Sequence, residues 1–234
     1  MYQAVAFIIV SCILIFLFRN YLKIIIYRIF YGDYHMNYLG LLFDGNSGNT
    51  NHYSPHSNLF SQIEKTKVAI SLANRSDTGF QLHFQDIEYG ISSSKLVSLI
   101  GKPKSYDLIS LGEEKVVRLD FNIASKSVVN KHVYYFRNDK YFMGKFQFNK
   151  IEEGKQNEII DSINTKYKTS YLGNESFGIS NVSGDSLNYV DIGFKIEVSY
   201  FNRDSEDINC LLNYLDEYKS KIRDDIFTNQ ISYS

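Results

Sequence analysis

Residues 115–149, KVVRLDFNIASKSVVNKHVYYFRNDKYFMGKFQFN, decide the fold. Val117, Leu119, Phe121 and Ile123 alternate with Arg118, Asp120 and Asn122, the period of two that a strand shows when one face is buried and the other polar. Lys131 to Arg137 and Tyr141 to Asn149 continue as strands. Between them Asn138-Asp139 offers two residues that tolerate the left-handed backbone of a tight hairpin. Consecutive strands joined by short turns predict an antiparallel sheet.

Downstream, Ile159, Ile160, Ile163 and Tyr167 share one side of a helix expected over 153–167. Short strands are expected near Ser170 to Leu172 and Ser186 to Val190, then a strong one in which Ile192, Phe194, Ile196, Val198 and Tyr200 alternate with Gly193, Lys195, Glu197 and Ser199. A last helix is expected from Ser205 to Arg223, with Ile208, Leu211, Leu212, Leu215 and Ile222 on its apolar stripe and Asp204 to Asp207 at the positive end of its dipole. Cys210 lies off that stripe and should be partly exposed. Upstream, the serines at 92–94 cap a short helix whose buried side is Leu96, Val97, Leu99 and Ile100; Gly101 stops it and Pro103 forbids its continuation. Phe80, Leu82 and Phe84 alternate as in a half-buried strand, which turns His83 toward solvent, while 61–73 reads equally as helix or strand. The fold class is therefore α+β, an antiparallel sheet with a few helices, in a possible tandem α-β arrangement.

The N-terminus is of another kind. Residues 4–18, AVAFIIVSCILIFLF, are uncharged and end at Arg19; with Tyr2 and Gln3 they make a helix of roughly 25 Å. Snorkelling of Arg19 and Lys23 offsets the shortfall against a hydrocarbon core of roughly 30 Å. The expectation is a transmembrane signal anchor formed by Phe7, Ile8, Ile9, Ile13, Leu14, Ile15, Phe16, Leu17 and Phe18. Beyond it, Leu22, Ile25, Ile26, Ile29 and Phe30 recur at helical spacing, with Lys23, Tyr27, Arg28 and Tyr31 away from them, as in a helix lying among lipid headgroups. Arg19, Lys23 and Arg28 all follow the apolar run and none precedes it, which places a single-pass protein with its soluble domain in the cytoplasm; the alternative is an exoplasmic or periplasmic domain. Ile9-Val10-Ser11-Cys12 has the outline of a lipoprotein lipidation site, but apolar rather than polar residues follow it. The expected organisation is an anchor with amphipathic extension over 1–31, a linker over 32–58 and the α+β domain over 59–234, with a subdivision near 151.

Of 234 residues, 25 are basic and 26 acidic, a net charge of -1 that gives no footprint for a phosphate backbone, so nucleic acid is not an expected partner. With 19 Tyr, 17 Phe, no Trp and only Pro55 and Pro103, the chain favours strands over disorder. Cys12 and Cys210 are too far apart in character for an intramolecular disulfide. Asp44 to Gly48 opens like a calcium loop, yet Pro55 stands where the closing glutamate belongs, and the same proline breaks the helix on which His52 and His56 would share a metal. No GxSxG, P-loop, dinucleotide fingerprint, HExxH or CxxC is present. No catalytic, cofactor or metal residues are assigned. Glu113-Glu114, Glu152-Glu153 and Asp224-Asp225 read as solvated charges.

Tyr89-Gly-Ile-Ser-Ser-Ser-Lys-Leu-Val-Ser-Leu-Ile-Gly-Lys-Pro103, followed by antiparallel strands, resembles the opening segment of the small BamE-like and β-lactamase-inhibitor-like modules. The resemblance implies a non-catalytic module that binds other proteins through its sheet; members of this kind are typically exported, whereas the charges here place the domain inside. The expected partners are membrane lipid and another protein. The expected role is a membrane-tethered, non-catalytic binding or assembly module, with an inhibitor or immunity-type protein at the membrane as the alternative and an enzyme behind both.

Overall fold

A computed structural model of the chain describes residues 18–19, 21–35, 37–39, 75–111, 114–124, 129–149, 154–172, 176–191, 193 and 195–231. The chain divides into two compact units, Met1–Asn51 and His52–Ser234.

In the first unit residues 18–19 and 21–31 are helical, and 21–31 is named α1. Gly32 ends it: at φ +85° it occupies the left-handed region that a side chain disfavours, and its N–H donates to the Arg28 carbonyl at 3.0 Å. Among the described residues no helix is long and apolar enough to cross a membrane. This corrects the expectation of an α+β fold carried behind a transmembrane helix, and with it the single-pass signal anchor. Among the described helical residues the cations Lys23 and Arg28 break the apolar run, so 21–31 is not an uncharged stretch of the kind a crossing needs. Phe7, Ile8, Ile9, Ile13, Leu14, Ile15, Phe16 and Leu17 lie outside the described residues, as do Cys12, Asp44 to Gly48, His52, His56 and 61–73.

The second unit is α+β. Its elements are β1 (Arg75–Asp77), α2 (Ser93–Ile100), β2 (Ser105–Leu111), β3 (Glu114–Ala124), β4 (Val129–Arg137), β5 (Lys140–Asn149), α3 (Lys155–Tyr167), β6 (Phe177–Ser180), β7 (Asp185–Asp191), β8 (Lys195–Asn202) and α4 (Glu206–Ile231). Eight strands form one mixed sheet in the order β1-β6-β7-β8-β5-β4-β3-β2. β1 pairs with β6 in parallel, and the remaining neighbours are antiparallel.

The hairpin between β4 and β5 turns at Asn138 and Asp139, both left-handed with φ 50° and 57°. Its tip also orders α2, because the Asp139 carboxylate accepts from the Ser93 backbone N–H at 3.0 Å and from the Ser93 hydroxyl at 2.6 Å. Ser92 adds the N-cap by accepting from the Lys95 N–H at 3.2 Å, and Gly101 at φ +95° closes the other end.

Alternation along the strands gives the sheet two unlike faces. One is aromatic: Phe121, Tyr134, Phe136, Tyr141, Tyr189 and Tyr200 are buried on it. Phe84 lies at its centre, with ring centroids 4.5 Å from Phe146, 4.9 Å from Tyr134 and 5.6 Å from Tyr200. Gly144 on β5 makes room for it, since a Cβ there would collide with the Phe84 ring and the Tyr141 hydroxyl. The expected strand through Phe80 and Phe84 is accordingly a 3-10 turn over Phe84–Asp86, with Gln85 and Asp86 at φ 55° and 56°. Leu82 and Phe84 are buried as alternation foretold, but the chain dives into the sheet instead of pairing along it. Tyr167 brings α3 to this face by donating to the Tyr200 hydroxyl at 3.5 Å.

The opposite face is apolar at one corner, where Ile109, Val116, Val133, Tyr135, Met143 and Phe201 receive Ile208, Leu211 and Leu215 of α4. Arg137 clamps that corner by donating to the Asp207 carboxylate at 2.8 Å. The rest of this face is polar. Residues 170–172 form no strand, β8 begins at Lys195, and α4 runs eight residues beyond the expected Arg223, to Ile231.

Candidate functional site

At about 100° per residue, Phe18, Leu22, Ile25, Ile26 and Ile29 fall within one side of the N-terminal helix, and Phe30 extends that side. All six are exposed, Ile29 by 74% and Phe30 by 78%. An apolar stripe of this width ordinarily faces a core. Ile24 and Tyr27, on the other side, are the half-buried ones. Tyr27 meets Tyr31 at 5.3 Å between centroids, and Tyr31 meets His35 at 4.7 Å.

Basic residues flank the stripe on both sides, Arg19 and Lys23 on one and Arg28 on the other. Arg28 is engaged: its Nε donates to Asp33 Oδ1 at 2.6 Å and its Nη2 to Oδ2 at 3.4 Å. The hydrogen bond it donates to Asp33, with that carboxylate's charge, holds the Arg28 guanidinium pKa above its ordinary value. Asp33 follows Gly32, whose left-handed turn brings the chain back over the last helical turn.

The second unit holds three polar clusters. On the polar face of the sheet, Lys145 Nζ lies 3.5 Å and Lys195 Nζ 2.5 Å from Glu197 Oε1, with Gln147 Nε2 also 3.5 Å from that oxygen. Lys145 and Glu197 are each only 2% exposed, and opposite charge beside each offsets the cost of burying it, Glu197 for Lys145 and both lysines for Glu197. Asn188, opposite Ser199, which in turn stands opposite Lys145, is buried, and among the described residues neither of its amide atoms meets a hydrogen-bonding partner. Farther along, Asp120 accepts a fork from Arg118 Nε and Nη2 at 2.8 and 3.1 Å, a contact from Lys131 Nζ at 2.5 Å and a hydrogen bond from Ser105 at 3.1 Å. Burial disfavours the Arg118 cation, but Tyr135 and Asp120 outweigh it and its pKa stays raised.

His83 does not face open solvent as alternation predicts. Its Nε2 lies 3.7 Å from Asp185 Oδ2, with Tyr89 edge-on at 5.3 Å. Asp185 is held in turn by the side-chain amides of Asn181 and Asn202, each donating at 3.0 Å. The arrangement has a base and an orienting carboxylate but no activated nucleophile. Tyr89 donates to the Leu82 carbonyl at 3.2 Å, and burial pushes its phenol far above the ordinary tyrosine range. His132 is a core residue whose ring is packed edge-on to Phe146 at 4.6 Å; burial lowers its pKa to about 4.

Among the described residues no three His, Cys, Asp or Glu side chains are grouped to hold a metal ion. Cys210 is half-buried on α4. Sequence periodicity finds the α1 stripe, with Phe18, Arg19, Lys23 and Arg28 around it, but the Arg28–Asp33 bridge escapes it because only the turn at Gly32 makes the contact. It also misses Lys145 and Glu197, which are brought together by the β5–β8 pairing. Compared with known proteins, the chain matches no family model, no curated protein and no solved structure.

Proposed function

We propose that the protein is a non-catalytic binding module that works at a lipid surface, seated there by α1 lying in the headgroup layer, with the α+β unit left to bind a protein partner. The observation that carries this reading is the uncovered stripe from Phe18 to Phe30, bordered by cations. A helix of this make-up buries its apolar side at the boundary of headgroups and acyl chains while its basic side chains stay level with the phosphates. No crossing of the bilayer is required. Among the described residues, the charged groups of the sheet's polar clusters compensate one another.

Flotation of the full chain with lipid vesicles tests the reading. The wild-type protein is expected to float, and Ile29→Asp/Phe30→Asp to remain at the bottom of the gradient with its fold intact by circular dichroism. A double variant that floats like wild type would show that α1 is not the seat. Crosslinking on native membranes should capture a protein partner through the second unit, and loss of α1 binding should reduce that yield.

A further inference from the structure

Resting on the lipid-surface reading, we propose that the partner of α1 is an anionic surface, and that Asp33 is a built-in competitor that withholds Arg28 from it. Cations lie along both edges of the stripe, Arg19 and Lys23 on one side and Arg28, beyond the exposed Tyr21, on the other, and no acidic residue occurs from 18 to 31. A helix lying with its apolar side down sets both rows at phosphate depth. Cations so placed gain from negative lipid charge, of the kind that cytoplasmic leaflets carry, and gain little from a zwitterionic surface.

The turn at Gly32 sets the partner of Arg28. Both of its hydrogen bonds to Asp33 are made across an exposed site, the two side chains being 61% and 48% accessible. A lipid phosphodiester, though tetrahedral, presents two non-bridging oxygens that a guanidinium fork can engage in place of the two carboxylate oxygens. Asp33 also sits just past the C-terminal end of α1, where the helix dipole disfavours a carboxylate, and Arg28 is what offsets this. Moving Arg28 to a lipid phosphate therefore leaves Asp33 exposed to the negative helix end and to the negative membrane at once. The bridge is a restraint that strengthens the demand for a highly charged surface.

The test is flotation of the full chain with phosphatidylcholine vesicles and with vesicles in which part of that lipid is replaced by phosphatidylserine, at low and high salt. Binding should favour the serine lipid and weaken with salt. Lys23→Gln should cost about five-fold in partitioning, the worth of one basic residue near such a surface. Asp33→Asn should increase binding to the anionic vesicles alone, by freeing Arg28 and removing a negative charge, and Arg28→Gln in the Asp33→Asn background should take that gain away. In the native background Arg28→Gln leaves Asp33 uncompensated at the negative surface and should also cost binding. Equal binding to both vesicle types would overturn the anionic preference and leave the apolar seat standing. No binding to either would overturn the lipid reading as well. Asp33→Asn having no effect, or Arg28→Gln costing nothing in the Asp33→Asn background, would remove the role given to Asp33.

Discussion

Phe30 and Phe84 are the same residue in opposite circumstances. Phe84 is fully buried in an aromatic nest whose floor is cleared by Gly144, whereas Phe30 is 78% exposed on a helix of eleven residues. Apolar character alone does not put a side chain inside; the fold must supply a complementary surface. The sheet supplies one for Phe84, whereas the stripe of α1 is exposed. The difference separates residues whose work is stability from residues whose work is contact.

Truncation gives the largest contrast. Phe84→Ala should cost about 3–5 kcal/mol of unfolding free energy, the range for a buried phenylalanine, whereas Phe30→Ala should stay within about 0.5 kcal/mol as an exposed substitution. Urea titration followed by circular dichroism measures both. Similar midpoint shifts for the two would erase the comparison.

Acid sharpens it next. His132 lies in the aromatic nest with its pKa lowered to about 4, so it is neutral when folded, while the unfolded chain takes up a proton near 6.5. The contribution of this residue is thus complete above about pH 6.5 and is lost as pH falls toward 4, by on the order of 3 kcal/mol in all. His132→Phe should flatten the stability profile across that window. A variant as acid-sensitive as wild type would place the titration elsewhere.

Much of the sheet is legible in the amino-acid sequence because its information is local. β3, β4 and β5 follow from alternation and from Asn138-Asp139, and α2 from its serines and Gly101. What is illegible depends on distant partners. Leu82 and Phe84 alternate like a strand, yet no strand accepts them as a ladder neighbour, and the gap that receives Phe84 belongs to a glycine sixty residues later. β2 and β6 have mixed patterns, and the three residues of β1 are held by parallel pairing to β6, about a hundred positions away. The candidate site divides the same way: the stripe of α1 is periodic and readable, whereas the hold of Asp33 on Arg28 needs the backbone at Gly32. The expected membrane span was read from hydrophobicity over 4–18, and the described helix 21–31, broken by cations and stopped by glycine, does not continue it as a crossing.

A smaller effect probes the hairpin that supports the buried side of the comparison. Asp139→Ala removes two acceptor contacts from the N-terminus of α2 and should cost about 1 kcal/mol, as loss of a cap does. The change should appear as faster amide exchange in Ser93–Ile100 with β4 and β5 unaltered. Unchanged exchange in α2 would mean that Ser92 suffices.

The central claim is that the exposed stripe of α1 seats in lipid. A helix with its apolar side exposed lacks the tertiary packing that gives most helices their stability, so the amides of 21–31 should exchange rapidly in the free protein. Hydrogen exchange of the full chain, with and without anionic vesicles, measures this directly. The account predicts marked slowing over 21–31 and none in β3, β4, β5 and β8. Exchange over 21–31 that vesicles leave untouched would contradict it.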